Sequence, residues 1–219
     1  DSIYPQLGEL KGQASWSTDA KFGSSLVFQQ AGDYADLGLP STNWNNDHFS
    51  LSFWFKRDES GFTWSGNEVS NVMIGLSGAN GSTLELGSKG GSVELYLSTL
   101  GRSERTLLGS SVVDNKWHYL TLAYDVNATD GIEMEVFMDG NSIGSTNSFG
   151  GSLVLQPDDR WYFGIADPAN PTSGRFLGKL DDVRFFAKAL DLVEHQVIFN
   201  DGRGDLSLTV DATFPTQTH

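Results

Sequence analysis

The chain has 219 residues, of which 38% are hydrophobic and 12% aromatic, and it contains no cysteine. This composition supplies one sizeable core and excludes disulfides, thiolate metal sites and a cysteine nucleophile. The net charge of −14, from 28 acidic and 14 basic residues, repels phosphate backbones and argues against nucleic acid as a partner. No apolar run reaches the roughly 20 residues needed to span a bilayer, which argues against membrane insertion.

Short segments in which apolar and polar residues alternate recur along the chain, and such alternation predicts half-buried strands. In chain order they are Ser25–Phe28, Ala35–Leu39, Phe49–Phe55, Val72–Leu76, Thr83–Leu86, Ser92–Ser98, Trp117–Tyr124, Ile132–Met138, Trp161–Ile165 and Leu180–Phe186. Asp139-Gly140 lies between two strand patterns and predicts a hairpin turn, because a type I′ turn needs positive φ at both central residues.

Only Leu190–Asn200 has a helical pattern, with Asp191 as N-cap and Gly202 after the last turn. We expect its apolar residues to lie along one face, namely Leu192, Val193, Val197 and Ile198. Many short strands and one short C-terminal helix predict an all-β fold of two stacked antiparallel sheets. We assign residues 1–206 to this domain and residues 207–219 to a last strand or an interdomain linker.

Four stretches in order resemble laminin G-like domains of the concanavalin A-like lectin and glucanase superfamily. They are residues 22–37, Phe49–Phe55, Asp114–Asp125 and the closing Gly178–Leu190, which is followed by a helix. The resemblance implies a jelly-roll sandwich. Without cysteines, and with a segment at 210–216 that is similar to junctions in bacterial adhesins, the chain resembles a module of a bacterial extracellular protein more than an animal laminin G domain.

The resemblance also implies a Ca²⁺ site between the loop that holds Asp33 and the closing strand that holds Asp181 and Asp182. Carboxylate oxygens are ligands that Ca²⁺ prefers. The alternative is that Asp33 caps a turn and that Asp182 bonds nearby backbone.

A second group of polar residues flanks the strand at Trp161–Ile165, and in related pentraxin-like proteins the corresponding loop holds ligand. The residues are Asp158, Asp159, Asp167 and Asn170. Trp54 and Trp117 are expected in the core, whereas Trp16, Trp44 and Trp64 lie in polar stretches. Trp64 is the strongest candidate to stack on a sugar, because an indole face packs on pyranose C–H groups. Solvated loop acids, and Trp packing over the core edge, are the alternatives.

Catalytic motifs are missing. Glu133 and Glu135 share a strand face, but their spacing is too short for the carboxylate pattern of glucanases on this fold. We therefore expect a non-catalytic, Ca²⁺-dependent carbohydrate-binding or adhesive module of a larger secreted or cell-surface protein, monomeric in isolation, with a glycan or cell-surface ligand. A protein- or peptide-binding module and a polysaccharide hydrolase or lyase are the alternatives.

Overall fold

The computed structural model describes residues 8–38, 47–57, 71–78, 81–89, 92–99, 102–129, 133–146, 158–170 and 174–201. Within these residues the chain forms fourteen strands and one helix. Their bounds are β1 Glu9–Lys11, β2 Ser15–Ser17, β3 Ser25–Phe28, β4 Tyr34–Asp36, β5 His48–Lys56, β6 Asn71–Gly78, β7 Gly81–Lys89, β8 Ser92–Thr99, β9 Arg102–Ser111, β10 Trp117–Asp125, β11 Met134–Met138, β12 Asn141–Thr146, β13 Arg160–Phe163, β14 Gly178–Phe186 and α1 Leu192–Asp201.

The strands form two antiparallel seven-stranded sheets. Sheet I has the order β1-β4-β13-β6-β7-β8-β9, and sheet II has the order β12-β11-β10-β5-β14-β3-β2. The edge strands β1 and β2 follow each other in the chain but belong to different sheets, and β9 contacts β12 across the sandwich. The predicted all-β sandwich of two antiparallel sheets is confirmed. None of the described helices is long and apolar enough to cross a membrane.

The main core lies between the sheets and is built from alternate strand residues. On β5, Phe53 and Phe55 are buried in the same cluster as Ile74 and Leu76 of β6 in the opposite sheet. The intervening Trp54 belongs to a second cluster, because successive side chains of a strand point to opposite faces. Each side chain of this size stabilises the fold by about 1.5–3 kcal/mol when it is fully buried.

Helix α1 covers the outer face of sheet II. Its buried residues are His195 and Phe199, one turn apart. Phe199 stacks on Trp54 with ring centroids 5.6 Å apart, and His195 stacks on Tyr119 at 5.2 Å. These two residues hold the helix because the sheet beneath it presents aromatic rings.

The predicted apolar face of this helix is therefore wrong for three of its four residues. Leu192, Val193 and Val197 are exposed by 37%, 64% and 47%, and only Ile198 packs at the margin of the buried cluster. The predicted N-cap is confirmed. The Asp191 carboxylate accepts a hydrogen bond from the Glu194 N–H at 2.8 Å, and the Glu194 carboxylate accepts one from the Asp191 N–H at 3.2 Å.

The predicted hairpin turn between β11 and β12 is also confirmed. Asp139 and Gly140 have φ of 49° and 80°, the positive values that this turn requires. The Asp139 carboxylate accepts a hydrogen bond from the Tyr119 N–H at 2.8 Å, and His195 Nε2 accepts one from the Gly140 N–H at 3.0 Å. The turn therefore connects sheet II to the helix.

Candidate functional site

A pocket of about 380 Å³ opens between the two sheets at the edge where β1 and β2 lie, and we call it the edge pocket. Sheet I and its flanking residues line it with Gly8, Leu10, Ala35, Leu37 and Phe163. The opposite wall consists of Trp16, Ser24, Leu26, Leu180, Asp181, Asp182 and Val183. Leu10, Leu26, Leu37 and Val183 pack against the main core yet are only partly buried. The edge pocket is thus the open end of the core.

Trp16 is the most exposed large apolar side chain among the described residues, at 66%. It lies on β2, the edge strand of sheet II, and its register partner on β3 is Leu26. Directly paired residues of neighbouring strands point to the same face of a sheet, and both of these residues line the edge pocket. The indole therefore stands on the inner side of the sandwich at a position where the short edge of sheet I leaves it uncovered.

An irregularity in β14 shapes the opposite side of the edge pocket. The pairing of β14 with β5 shifts register between Asp181 and Arg184, and Asp182 has φ of 47°. Such bulges redirect side chains, and a non-glycine residue with positive φ stores backbone strain. Arg184 holds Asp182 in place by donating from Nε to Oδ1 at 2.9 Å, and its Nη2 lies 2.8 Å from Oδ2. This hydrogen bond to Asp182 raises the pKa of Arg184.

A family model described as the concanavalin A-like lectin/glucanases superfamily, of the laminin G type, matches residues 29–194. The chain belongs to this superfamily. No curated protein matches the concanavalin A-like chain by sequence. The match includes the bulged strand of the edge pocket but begins after Trp16 and Leu26.

Solved structures share the concanavalin A-like fold at low sequence identity. Domain 4 of AbnA, an extracellular arabinanase from Geobacillus stearothermophilus solved with arabinotriose, has a TM-score of 0.63 and 16% identity, with 87% of each chain covered. The ligand binding domain of botulinum neurotoxin serotype D, solved with N-acetylneuraminic acid, has a TM-score of 0.67 and 18% identity, with 89% of this chain and 45% of that chain covered. The binding domain of Paraclostridial Mosquitocidal Protein 1 has a TM-score of 0.64 and 12% identity, with coverage of 89% and 47%. The concanavalin A-like chain thus spans less than half of the neurotoxin chain and of the mosquitocidal protein chain.

The three acidic residues predicted to bind Ca²⁺ do not converge. Asp33 is buried, and its carboxylate accepts hydrogen bonds from the N–H groups of Gln13, Gln29 and Gln30 at 2.7–3.0 Å. Among the described residues, no group of three His, Cys, Asp or Glu side chains is arranged to hold a metal ion. Only Asp181 and Asp182 line the edge pocket.

The two carboxylates that line the edge pocket already have hydrogen-bond partners. Asp181 accepts hydrogen bonds from the N–H groups of Lys21 and Phe22 through Oδ2, at 2.7 and 2.8 Å, and from the Asp182 N–H through Oδ1 at 2.8 Å. Both Asp182 oxygens face Arg184. Few lone pairs of Asp181 therefore remain for a Ca²⁺ ion, and the Arg184 guanidinium beside Asp182 would repel one. Calcium binding by the chain stays a prediction.

The second predicted group lies before and after β13, away from the lining of the edge pocket. Asp158 is exposed, whereas Asp159 is 2% exposed. Asp167 closes a turn, because its carboxylate accepts a hydrogen bond from the Ala169 N–H at 2.9 Å and its carbonyl accepts one from the Asn170 N–H at 3.0 Å. Trp64 lies outside the described residues. A ligand role for this group stays a prediction.

Sequence reasoning placed Trp16 in a loop-like stretch and missed its position at the edge pocket. The strand that carries it has three residues, too few for alternation to be recognised. The signal that was present is Ser15-Trp16-Ser17, a single large apolar residue between two polar ones. On an edge strand, a single indole of this kind is buried where residues of the opposite sheet cover it and exposed where they do not.

Proposed function

We propose that the chain is a non-catalytic carbohydrate-binding module of a larger secreted or cell-surface protein, and that it binds sugar at the mouth of the edge pocket. The observation that carries this proposal is the exposure of Trp16 on the inner side of an edge strand. An indole face packs on the C–H groups of a pyranose ring, and an aromatic residue left exposed beside a pocket is typical of a binding site.

The comparisons support a carbohydrate ligand. Domain 4 of AbnA, which is covered over 87% of its length, was solved with arabinotriose. The neurotoxin domain was solved with N-acetylneuraminic acid, and 45% of that chain is covered. Their identities to this chain are below 20%, so the likeness extends to the fold and leaves the sugar to be found by experiment. The same fold also carries glucanases, and fold alone does not assign an activity.

The hydrogen-bond partners of the carboxylates favour binding over catalysis. Glycoside hydrolysis uses two carboxyl groups that contact the substrate, one as acid and one as base or nucleophile. At the edge pocket, Asp181 and Asp182 use their oxygens to hold backbone N–H groups and Arg184. Of the two glutamates considered from the sequence, Glu135 lies on β11, where its carboxylate accepts a hydrogen bond from the Ser142 hydroxyl at 2.6 Å, and Glu133 lies before that strand. Asp181, Asp182 and Glu135 thus have structural partners, whereas Glu133 Oε2 is buried without a hydrogen-bond partner among the described residues, and Glu133 does not line the edge pocket.

A glycan array followed by calorimetry on the best ligand tests the proposal. We expect the wild-type chain to bind at least one glycan. Replacing Trp16 by Ala should weaken that binding by about 1–3 kcal/mol, the usual effect of losing one aromatic anchor. Trp16→Phe should restore part of the affinity, because a smaller ring still covers the sugar face.

Val193→Ser is the matched control, because it removes an equally exposed apolar side chain, 64% exposed, from the helix. It should leave affinity unchanged. Equal affinity in the wild type and Trp16→Ala would move the site elsewhere, and Asp167→Ala with Asn170→Ala would then test the loop after β13. A chelator arm tests the predicted calcium dependence.

Two further assays separate the alternative functions. No binding to any glycan, together with binding to a protein or peptide, would replace the proposal by a protein-binding module. New reducing ends or unsaturated products from a polysaccharide would identify a hydrolase or a lyase.

A further inference from the structure

The carboxylates of the edge pocket are already used within the protein. Asp181 is 7% exposed and accepts three backbone hydrogen bonds, and Asp182 forms a two-point ion pair with Arg184. Of the roughly four acceptor sites of a carboxylate, about one remains open on Asp181 and about two on Asp182, and a ligand hydroxyl that displaced a present donor would leave a backbone N–H or a guanidinium without its partner. Loss of such a partner costs free energy, so a new hydrogen bond here brings little net gain.

Apart from the exposed Ser24, the side chains of the remaining walls are apolar. Leu10 and Leu37 face the pocket from the sheet I side, and Leu26, Leu180 and Val183 face it from the sheet II side. Leu180 is buried, whereas the other four pack against the core but are only partly buried, so apolar surface remains uncovered inside the pocket. Burial of that surface by a ligand is favourable, whereas a sugar ring placed there would lose its bonds to water without replacement.

The negative charge of the pocket lining favours an uncharged ligand group over an anionic one. Among the residues that the structure describes, two carboxylates are the ionisable groups of the lining, and no cation lines the pocket. One of the carboxylates is paired with Arg184. An anionic head group would meet a negative wall in a chain whose net charge is −14. An uncharged group meets no such penalty.

We infer that the interior of the edge pocket accepts an uncharged apolar group, an alkyl, acyl or aromatic substituent of the ligand, while Trp16 at the mouth covers the part that follows it. The inference rests on the site proposed above, but on the chemistry of its interior and not on the sugar. The chain would then distinguish substituted or glycolipid-like ligands from bare sugars.

Ligand-observed NMR and calorimetry with methyl, butyl and hexyl β-D-glucoside, below the micelle concentration, test this inference. Each buried methylene should tighten binding about fourfold, so we expect hexyl glucoside to bind at least tenfold more tightly than methyl glucoside. We also expect 1-hexanol to compete for the site. Equal affinity across the series, or no competition by 1-hexanol, would overturn the inference.

Filling the pocket supplies a matched pair of variants. Leu10→Trp places an indole inside it, whereas Lys11→Trp places the same ring on the other face of the same strand, because neighbouring strand residues alternate. Leu10→Trp should reduce the affinity for hexyl glucoside to that for methyl glucoside, and Lys11→Trp should not. Hexyl glucoside binding that survives Leu10→Trp contradicts the inference. If Leu10→Trp does not fold, Val183→Phe fills the pocket from the opposite wall, and the same loss of affinity for hexyl glucoside is expected of it.

The outcomes separate this inference from the proposed function. Binding of hexyl glucoside and 1-hexanol by a chain that binds no glycan on the array would retain the apolar site and reject the carbohydrate-binding module. Binding of glycans without any gain from an alkyl chain would retain the module and reject the apolar site.

Discussion

Acidification from pH 8 to pH 5 should destabilise the chain through one buried residue, His195. Its side chain is fully buried and neutral, with Nε2 accepting a hydrogen bond from the Gly140 N–H at 3.0 Å and Nδ1 lying 2.8 Å from the Thr121 hydroxyl. A proton added at Nε2 would face that N–H. Burial lowers the pKa of His195 from 6.5 to about 4.

The magnitude follows from the difference between the folded and unfolded pKa. A histidine whose folded pKa is lowered stabilises the protein above its unfolded pKa and loses that contribution as the pH falls towards the folded one. At pH 5 the unfolded state binds the proton and the folded state does not, which costs about 2 kcal/mol of unfolding free energy relative to pH 8. For a domain of this size the His195 contribution alone corresponds to a fall of about 4–8 °C in the melting temperature. His118, whose pKa is raised, acts in the opposite direction in both the wild type and a His195 variant, so a comparison of the two isolates His195.

Urea unfolding of the wild type and His195→Gln at pH 5, 6, 7 and 8 checks this prediction. The variant is less stable throughout, but its unfolding free energy should lack the loss between pH 7 and 5. The Asp19 carboxyl does not interfere, because hydrogen bonds from Lys179 and Lys56 lower its pKa to about 2 and place its titration below this range. A parallel pH dependence in the wild type and His195→Gln would refute the reasoning.

Three further predictions concern the supports of the fold. His118 is 8% exposed, and its ring nitrogens lie 2.6 Å from Asp139 and 3.0 Å from Asp114. Burial lowers the pKa of His118, but the two carboxylates outweigh burial, so the pKa is raised. Its stabilising effect is therefore complete below pH 6.5 and is lost as the pH rises through the folded pKa, so His118→Gln should flatten the alkaline limb of a stability–pH curve. Asp33→Asn replaces an acceptor of three backbone N–H groups and should cost about 1–3 kcal/mol in urea unfolding. Asp191→Ala removes the helix N-cap and should cost about 1 kcal/mol in the same assay, with Val193→Ala on the exposed face as the neutral control.

The sequence predicted the long central strands because their alternation is strong. Phe49–Phe55 and Trp117–Tyr124 lie within β5 and β10, the paired centre of sheet II. It did not predict β9, Arg102–Ser111, where charged and hydroxyl residues outnumber apolar ones. That segment is a strand because β8 offers a hydrogen-bonding edge to it, which is information that no local pattern contains.

The lack of tertiary information in a local pattern also explains why the buried face of the helix and the edge pocket were not predicted. A histidine is not counted among apolar residues, so the helical pattern does not predict that His195 points inward. It does so because the outer face of sheet II presents aromatic rings to it. The edge pocket exists because β1 ends after three residues while Trp16 lies opposite on the other sheet. The family resemblance implied that Asp33 and Asp181 bind Ca²⁺, and no local pattern shows that their carboxylates accept hydrogen bonds from backbone N–H groups, as they do in the structure.

The most direct test of the central claim is an amide and indole chemical-shift titration of the isotope-labelled chain with the best glycan from the array. We predict that the Trp16 indole N–H and the amides of Leu26 and Asp182 shift with a single dissociation constant, while the amides of Val193 and Val197 on the helix do not move. Shifts confined to residues 167–170, or an unmoved Trp16 indole at saturation, would contradict the assignment of sugar binding to the edge pocket.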